Sequence, residues 1–434
     1  MNEFGFDYHS SGPDFSFFSE GGEMSIGPYI PEVRDCVSCG VCVNSCPTYG
    51  VKAEEIYGPR GRIRLIERVL IKNDVLDDEE LEALGACTLC RACETVCPSK
   101  MDYNELYRQA MEAIDHKPYS GWAIKLLLDW VADRRSAQRL LNTLAHIYQR
   151  SGMQRVVKKF PLKGDFRQFE KLLPVPLVSM PVPDYSQTKI PEHRGEVVLF
   201  TGCVSNIIDT QTHNATIRLL TCLGYDVRVL ENQTCCGAIY AHNGEMGRAK
   251  GCAGKNIDAI TESGVSSVIY NASGCGAFLN EYPALLNDDG GDESPNALST
   301  IDVMDFLVGT KELGSLPFRE LKARVAVHEP CSQRNVLKNQ EVVYDLLANI
   351  PGLEVVPLPG NNMCCGAGGT KMVTQPELAE PPRDEKVSAL VESGADILIS
   401  TNLTCALHLS TGAREADHEI EVMHPARLIA QQLI

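Results

Sequence analysis

Cys36, Cys39, Cys42 and Cys46 are followed by Pro47, and Cys87, Cys90, Cys93 and Cys97 by Pro98, with the same C-x-x-C-x-x-C-x-x-x-C-P spacing. Three thiolates separated by two residues each fit one tight loop and grip three irons of a single cluster. A fourth, beyond three more residues, reaches a different cluster. The prolines turn the chain away after the last thiol and bring no N–H of their own. A zinc pair or a disulfide framework accounts less well for four evenly spaced cysteines followed by proline, twice.

The two runs resemble those of bacterial ferredoxins with two 4Fe–4S cubanes. That pattern assigns Cys36, Cys39, Cys42 and Cys97 to one cluster, and Cys87, Cys90, Cys93 and Cys46 to the other. Between the runs lies a basic island of Arg60, Arg62 and Arg64 in an otherwise acidic chain. A cubane with four thiolates is anionic, and nearby cations and hydrogen bonds raise its potential. The island has either that role or the simpler one of a solvated helix start.

A second constellation occupies the C-terminal half. Cys203, Cys235, Cys236 and Cys275 are followed by Cys331, Cys364, Cys365 and Cys405, at offsets of 128, 129, 129 and 130 residues. Such a constant offset marks an internal duplication. Short apolar runs precede each landmark: Val197–Phe200, Asp226–Leu230 and Ser267–Tyr270 in one half, Val325–His328, Leu353–Val356 and Ile397–Ser400 in the other. Strands alternating with helical stretches predict an α/β body with a largely parallel sheet. The cysteines then sit at strand C-terminal ends, where open α/β sheets place ligands. Adjacent cysteines can reach different irons of one cluster, and Gly237 and Gly366 let the backbone pass close by. Both sets are expected to bind metal.

Two ferredoxin runs followed by a paired C-x(n)-C-C-G-x(m)-C body resemble the iron–sulfur subunit of glycolate oxidase. The D-lactate and glycerol-3-phosphate dehydrogenase subunits and heterodisulfide reductase subunits, which share the so-called CCG domain, are similar too. The stretches that carry the resemblance are Cys46-Pro47-Thr48-Tyr49, Gly58-Pro59-Arg60-Gly61-Arg62-Ile63, Leu89-Cys90-Arg91, Cys93-Glu94-Thr95-Val96-Cys97-Pro98-Ser99 and Ala272-Ser273-Gly274-Cys275-Gly276-Ala277-Phe278. It runs from about residue 33 to the end. The implied fold is α/β: an α-helical two-cluster ferredoxin domain followed by a duplicated α/β CCG body. In heterodisulfide reductases each full motif ends C-x-x-C, and five thiolates hold a non-cubane catalytic cluster. Here the first position of that pair is Ala272 in one half and Asn402 in the other. Four thiols suffice for an ordinary cubane, and an amide is a weak iron ligand. His242, His328 and His408 are nominal substitutes, for which a hydrogen-bonded structural histidine is the ordinary reading. Cys222 and Cys252 read as buried thiols.

The elements that must position these sites divide the 434 residues into five stretches. Residues 1–30, Gly- and Ser-rich with scattered aromatics, form an arm without a core of its own. Residues 31–118 carry the ferredoxin-like domain. There Ile63, Leu65, Ile66, Val69 and Leu70 recur at helical spacing, and Asp74–Glu82 begins an acidic helix. Residues 119–194 hold amphipathic helices, with Trp122 and Trp130 and with Leu140, Leu141, Leu144 and Tyr148 on one face. A linker with six prolines over 161–191 follows, in which no helix is expected. Residues 195–318 and 319–434 are the two CCG modules.

The formal net charge of −17 argues against nonspecific binding to nucleic acid or anionic membrane. Eighteen cysteines in a chain of this length point to metal ligation in a reducing compartment. No apolar run approaches the roughly 20 residues of a membrane span, and no export signal is apparent. A cytoplasmic protein is expected, or one held at the inner face of the membrane by a partner. Gly366-Ala367-Gly368-Gly369 lacks dinucleotide-fingerprint spacing and reads as a turn after the thiols.

The resemblance implies an electron-transfer subunit. A partner FAD-binding oxidoreductase would oxidise a 2-hydroxy acid such as glycolate or lactate. Electrons would cross two 4Fe–4S clusters and one or two further clusters at the CCG modules, then leave to a quinone or another carrier. The alternative is reduction of a disulfide at a CCG-bound cluster. A third, non-redox reading makes the CCG sites zinc-stapled scaffolds.

Overall fold

A computed structural model describes residues 33–114, 129–132, 134–157, 164–173, 193–286, 299–310 and 313–434. The arm, Trp122 and most of the proline-rich stretch lie outside these residues. The described N-terminal part is helical. Pro47 and Pro59 occupy the first turns of helices Pro47–Lys52 and Pro59–Leu70, where a missing N–H costs nothing. Helix Pro59–Leu70 buries Ile63, Leu65, Ile66 and Val69 against Leu106, Tyr107 and Ala110 of helix Tyr103–Ala113. The acidic helix spans Asp78–Gly85. It starts later than Asp74 because Asp77 forms a capping box with Glu80.

The C-terminal part contains two four-stranded parallel sheets of identical order, β2-β1-β3-β4 and β6-β5-β7-β8. The first is built from β1 (Gly195–Phe200), β2 (Tyr225–Arg228), β3 (Ser267–Tyr270) and β4 (Ser299–Asp302). The second is built from β5 (Arg324–His328), β6 (Glu354–Pro357), β7 (Ile397–Ser400) and β8 (Glu421–Met423). Six of these match the apolar runs of the sequence. The edge strands β4 and β8 were not expected, because they follow the last cysteine of each repeat and carry only three or four residues.

The central strands are buried on both faces, as helix-covered parallel strands must be. Successive side chains alternate between two cores. Val197, Leu199 and Ile269 share one core with Val325, Val327 and Ile399 of the other sheet. Val198, Phe200 and Val268 face away, onto helix Met246–Ser263. Ala326 and Leu398 likewise face helix Pro376–Ser393. The shared core joins the modules, at about 2 kcal/mol for each fully buried aliphatic side chain.

One expectation is overturned. Helix Asp165–Leu172 forms inside the stretch read as a helix-free linker. It occupies the proline-free interval between Pro161 and Pro174. Leu172 is buried in the second module, and the Lys171 carbonyl accepts from Arg414 Nη2 at 2.7 Å. Helix Arg135–Arg150 forms as expected, yet Leu140, Leu144 and Ile147 remain about half exposed. Among the described residues no helix is long and apolar enough to cross a membrane.

Candidate metal centres

The N-terminal thiols converge in two crossed sets. A small cavity of about 30 Å³ is lined by Cys36, Cys39, Cys42 and Cys97, with Cys93 beside them. A second, about 20 Å³, is lined by Cys46, Cys87, Cys90 and Cys93. The fourth cysteine of each run thus sits with the other run's first three. Ser38, Leu89 and Arg91 adopt positive φ values of 55°, 48° and 57° in these loops. That conformation is costly for a leucine or an arginine and is retained where a loop must wrap a site.

The environments of the two sets differ. Cys39 is exposed, and Val37 and Val41 beside it are 69% and 53% accessible. Arg60, close by, is paired with Glu55. The other set is enclosed. Arg62 is fully buried, and its guanidinium donates to Ala83 O at 2.8 Å, Thr48 Oγ1 at 2.9 Å and Cys46 Sγ at 3.7 Å. Arg64 is exposed. Of the three island arginines, Arg62 is the one that touches a thiol. Lys371, from the second module, is also buried and within electrostatic reach of Cys87; burial pushes its ammonium down to about 8.

In the C-terminal part the sequence duplication becomes a geometric one. Cys203, Cys235–Cys236 and Cys275 follow the C-terminal ends of β1, β2 and β3. Cys331, Cys364–Cys365 and Cys405 follow β5, β6 and β7. Gly237 and Gly366 have φ of 97° and 86°. Their N–H groups donate to Cys235 Sγ and Cys364 Sγ, each at 3.4 Å. A Cβ at Gly366 would lie 2.3 Å from Ala379 O, so only glycine lets the loop pass the helix behind it. Cys203 Sγ is 3.5 Å from Cys235 Sγ, and Cys365 Sγ is 2.9 Å from Cys405 Sγ.

Both sets open into one cavity of about 460 Å³. The modules meet there through Ser273 Oγ and Ser332 Oγ at 2.9 Å, and through Ser273 N–H donating to Thr401 O at 3.0 Å. The second ferredoxin-type run closes part of the wall. Cys90 packs against Cys364 and Cys331, Asn335 Nδ2 donates to Cys90 O at 2.7 Å, and Arg91 pairs with Glu281 at 3.0 Å.

The donor chemistry fits iron–sulfur clusters. Hydrogen bonding to Cys364, then burial, raises the Cys90 and Cys331 thiols well above the usual range. Cys203 is raised by its contact with Cys235 and by burial. Burial and Cys36 push Cys42 up to about 11. Thiols grouped this closely cannot ionise together unless a cation sits among them. Backbone N–H groups already directed at sulfur, soft donors and the shared cavity suit a thiolate-bound metal, iron–sulfur clusters among them.

Relatives confirm the chemical class. A family model described as a 4Fe-4S dicluster domain matches residues 32–101, and one described as a cysteine-rich domain matches 197–280 and 325–410. The Escherichia coli (strain K12) glycolate oxidase iron-sulfur subunit is 31% identical over 414 residues, covering 91% of this chain and 94% of that protein. The Bacillus subtilis (strain 168) "Probable glycolate oxidase iron-sulfur subunit" is 32% identical over 427 residues, with 92% and 94% covered. The chain belongs to the glycolate oxidase iron–sulfur subunit family. Lactate utilization protein A of Bacillus subtilis (strain 168) is 30% identical over 240 residues, 54% of this chain and 98% of that protein. As a member of the glycolate oxidase iron–sulfur subunit family, the chain is an electron-transferring iron–sulfur component of an oxidoreductase complex.

Several residues of this iron–sulfur subunit escaped the sequence reading. Lys386 is buried, donates to Gly360 O at 2.7 Å and lies within electrostatic reach of all four second-module thiols. Neither Lys386 nor Lys371 has a motif around it; each reaches its thiols only through the fold. Asn402 caps helix Leu403–Glu415 through Oδ1, accepting from Thr404 N–H at 3.1 Å, while Nδ2 donates to Ser332 Oγ at 3.2 Å. Both ends of the amide are engaged by protein groups. His408 bonds to Ala379 O at 3.0 Å, a structural role, and His242 lines the cavity. Cys252 is buried and Cys222 half-buried, both in apolar packing.

Proposed function

We propose that this chain carries electrons for a flavoprotein that oxidises a 2-hydroxy acid of the glycolate or lactate class. The partner's FAD would be the donor, and a quinone or another carrier the acceptor. The proposed ligand sets are Cys36, Cys39, Cys42 and Cys97, and Cys46, Cys87, Cys90 and Cys93, each for a 4Fe–4S cluster. Cys203, Cys235, Cys236 and Cys275, and Cys331, Cys364, Cys365 and Cys405, would hold the further clusters. Residues 31–118, 195–318 and 319–434 are the proposed domains, placed on the cytoplasmic side with the acceptor.

The contact of Cys90 with Cys364 supports this reading most strongly. Each belongs to a different proposed set, so a relay has no gap between the N-terminal centres and the second module. The exposed Cys39, flanked by Val37 and Val41, is the proposed point of exchange with a partner protein. The hydroxy acid itself would bind the partner. Asn402, engaged as a helix cap, disfavours a five-thiolate centre of the disulfide-reducing type.

The test is anaerobic purification followed by iron and zinc analysis and mixing with the reduced flavoprotein partner. Roughly 12 to 16 irons per chain, bleached only when reduced partner is added, support the proposal. A zinc-filled chain, or reduction of a small disulfide by the isolated chain with an artificial donor, contradicts it.

A further inference from the structure

We infer that His328 is a fifth donor at the second module's metal centre, so that this site offers four thiols and one imidazole while the first module offers thiols alone. The inference rests on the reading above that both modules bind iron–sulfur clusters. A ring nitrogen of His328, Cys365 Sγ and Cys405 Sγ all lie within 4.8 Å of one another, and all three side chains are buried. Among the described residues no other group of three such side chains is drawn together as closely.

The position follows from the strand. His328 ends β5, three residues before Cys331, and pairs across the sheet with Ser400 at the end of β7. Its Nδ1 is 3.2 Å from Ser400 Oγ. That hydroxyl also lies 3.4 Å from Asn402 O, to which it can donate, and accepts from Asn402 N–H at 3.3 Å. With the hydroxyl as acceptor the proton sits on Nδ1 and the Nε2 lone pair is free for a metal. Metal-bound imidazoles are held in this way, with one nitrogen fixed by a neighbouring acceptor and the other on the metal. Binding through a neutral imidazole releases no proton and changes no oxidation state.

The first module excludes the arrangement. The residue that ends β1, three before Cys203, is Phe200, buried and without a donor atom. Asn402 stands where a fifth thiol would be in the C-x-x-C pattern, and its amide is engaged elsewhere. His328 approaches the same cluster from the strand end instead. A neutral imidazole adds a donor without adding negative charge, so the centre is less anionic than one completed by a fifth thiolate.

The experiment uses the full chain, expressed with ring-¹⁵N-labelled and with unlabelled histidine, purified anaerobically, reduced and examined by pulsed electron paramagnetic resonance. A strongly coupled nitrogen that changes with the isotope and disappears in His328→Phe, with the N-terminal cluster signals intact, is the expected result. The reciprocal Phe200→His should add a second such nitrogen. If the labelled parent shows no strongly coupled nitrogen, or only the weak coupling of an N–H···S hydrogen bond, the inference is overturned whether or not the variants fold. Coupling that survives in His328→Phe overturns it as well. Cys365→Ser distinguishes the two levels: if it removes no iron, the cluster reading of this module fails together with the inference. If it removes iron while no histidine nitrogen is coupled, only the inference fails.

Discussion

In the first module, Asn256 reaches from helix Met246–Ser263 to the Cys235 carbonyl, donating at 2.9 Å. In the second, the same position of helix Pro376–Ser393 holds Lys386, which donates to Gly360 O on the loop before Cys364. Both side chains brace the loop that presents the paired thiols. One brings a neutral amide and the other a buried cation. Phe200 against His328 and Ala272 against Asn402 continue the same divergence. The second module also touches the N-terminal domain through its own thiol, Cys364 against Cys90. A duplicated scaffold has therefore kept the placement of its cysteines and changed the groups around them. The module whose thiol touches Cys90 is the one with a buried lysine near its thiols, which would favour the reduced state of a cluster held there.

Cutting one module and then the other gives the largest contrast. Cys365→Ser should stop electrons from passing the N-terminal centres, a loss of at least tenfold in reduction of both module sites. Cys236→Ser should leave the second module reducible. Freeze-quenched spectra after mixing with a reductant check this. Next, Lys386→Met should lower the potential of the second module's centre by tens of millivolts, whereas Asn256→Leu should leave the first module's potential nearly unchanged. A redox titration followed spectroscopically separates them.

The N-terminal domain offers a parallel contrast. Arg62→Gln removes a buried guanidinium and leaves Ala83 O and Thr48 Oγ1 without their donor, costing about 3 kcal/mol. Arg60→Gln breaks a half-exposed, solvent-screened pair with Glu55 and should cost far less. Denaturant unfolding of the two variants reads the difference. The turn that both modules share gives a similar ranking. Gly366→Ala meets Ala379 O at 2.3 Å, and Gly237→Ala meets Ala249 O at 3.0 Å. Both suffer a positive φ, costing about 1 kcal/mol, and the closer contact makes Gly366→Ala the more damaging.

A further effect concerns pH, and it has opposite sign in the two modules. Asp302 caps the helix after β4 through Met304 N–H, and His424 caps the helix after β8 through Ala426 N–H. Burial pushes Asp302 up to about 7 and His424 down to about 3. Stability from neutral Asp302 is fully present below its ordinary value of 3.8 and is lost as pH rises toward 7. Stability from neutral His424 is present above 6.5 and is lost as pH falls toward 3. Each pH unit within a window carries at most about 1.4 kcal/mol per group. Asp302→Asn should therefore raise the melting temperature at pH 8 and not at pH 4, and His424→Asn should do the reverse.

Much of this was legible because cysteine spacing and strand runs are local signals. The two runs with their prolines, the constant offset between Cys203 and Cys331, and apolar Val197–Phe200 and Val325–His328 state their elements directly. The edge strands β4 and β8 were not legible, because each has only a few partly buried residues and no landmark beside it. Helix Asp165–Leu172 was hidden by proline density on either side of it. Lys371 and Lys386 were beyond reach for another reason, and His328 could be nominated but not singled out from His242 and His408. A lone lysine or histidine has no period, and its meaning depends on which thiol the fold brings to it. Arg62 was an intermediate case: the basic island was visible, but only burial separates Arg62 from Arg60 and Arg64.

The central claim is continuity from the N-terminal centres into the second module across Cys90 and Cys364. Electron paramagnetic resonance of the fully reduced, anaerobically purified chain tests it most directly. Magnetic interaction between a centre that depends on Cys87 and one that depends on Cys365, lost when either is replaced by serine, is the predicted result. Independent, uncoupled signals with the Cys365→Ser spectrum unchanged would contradict it.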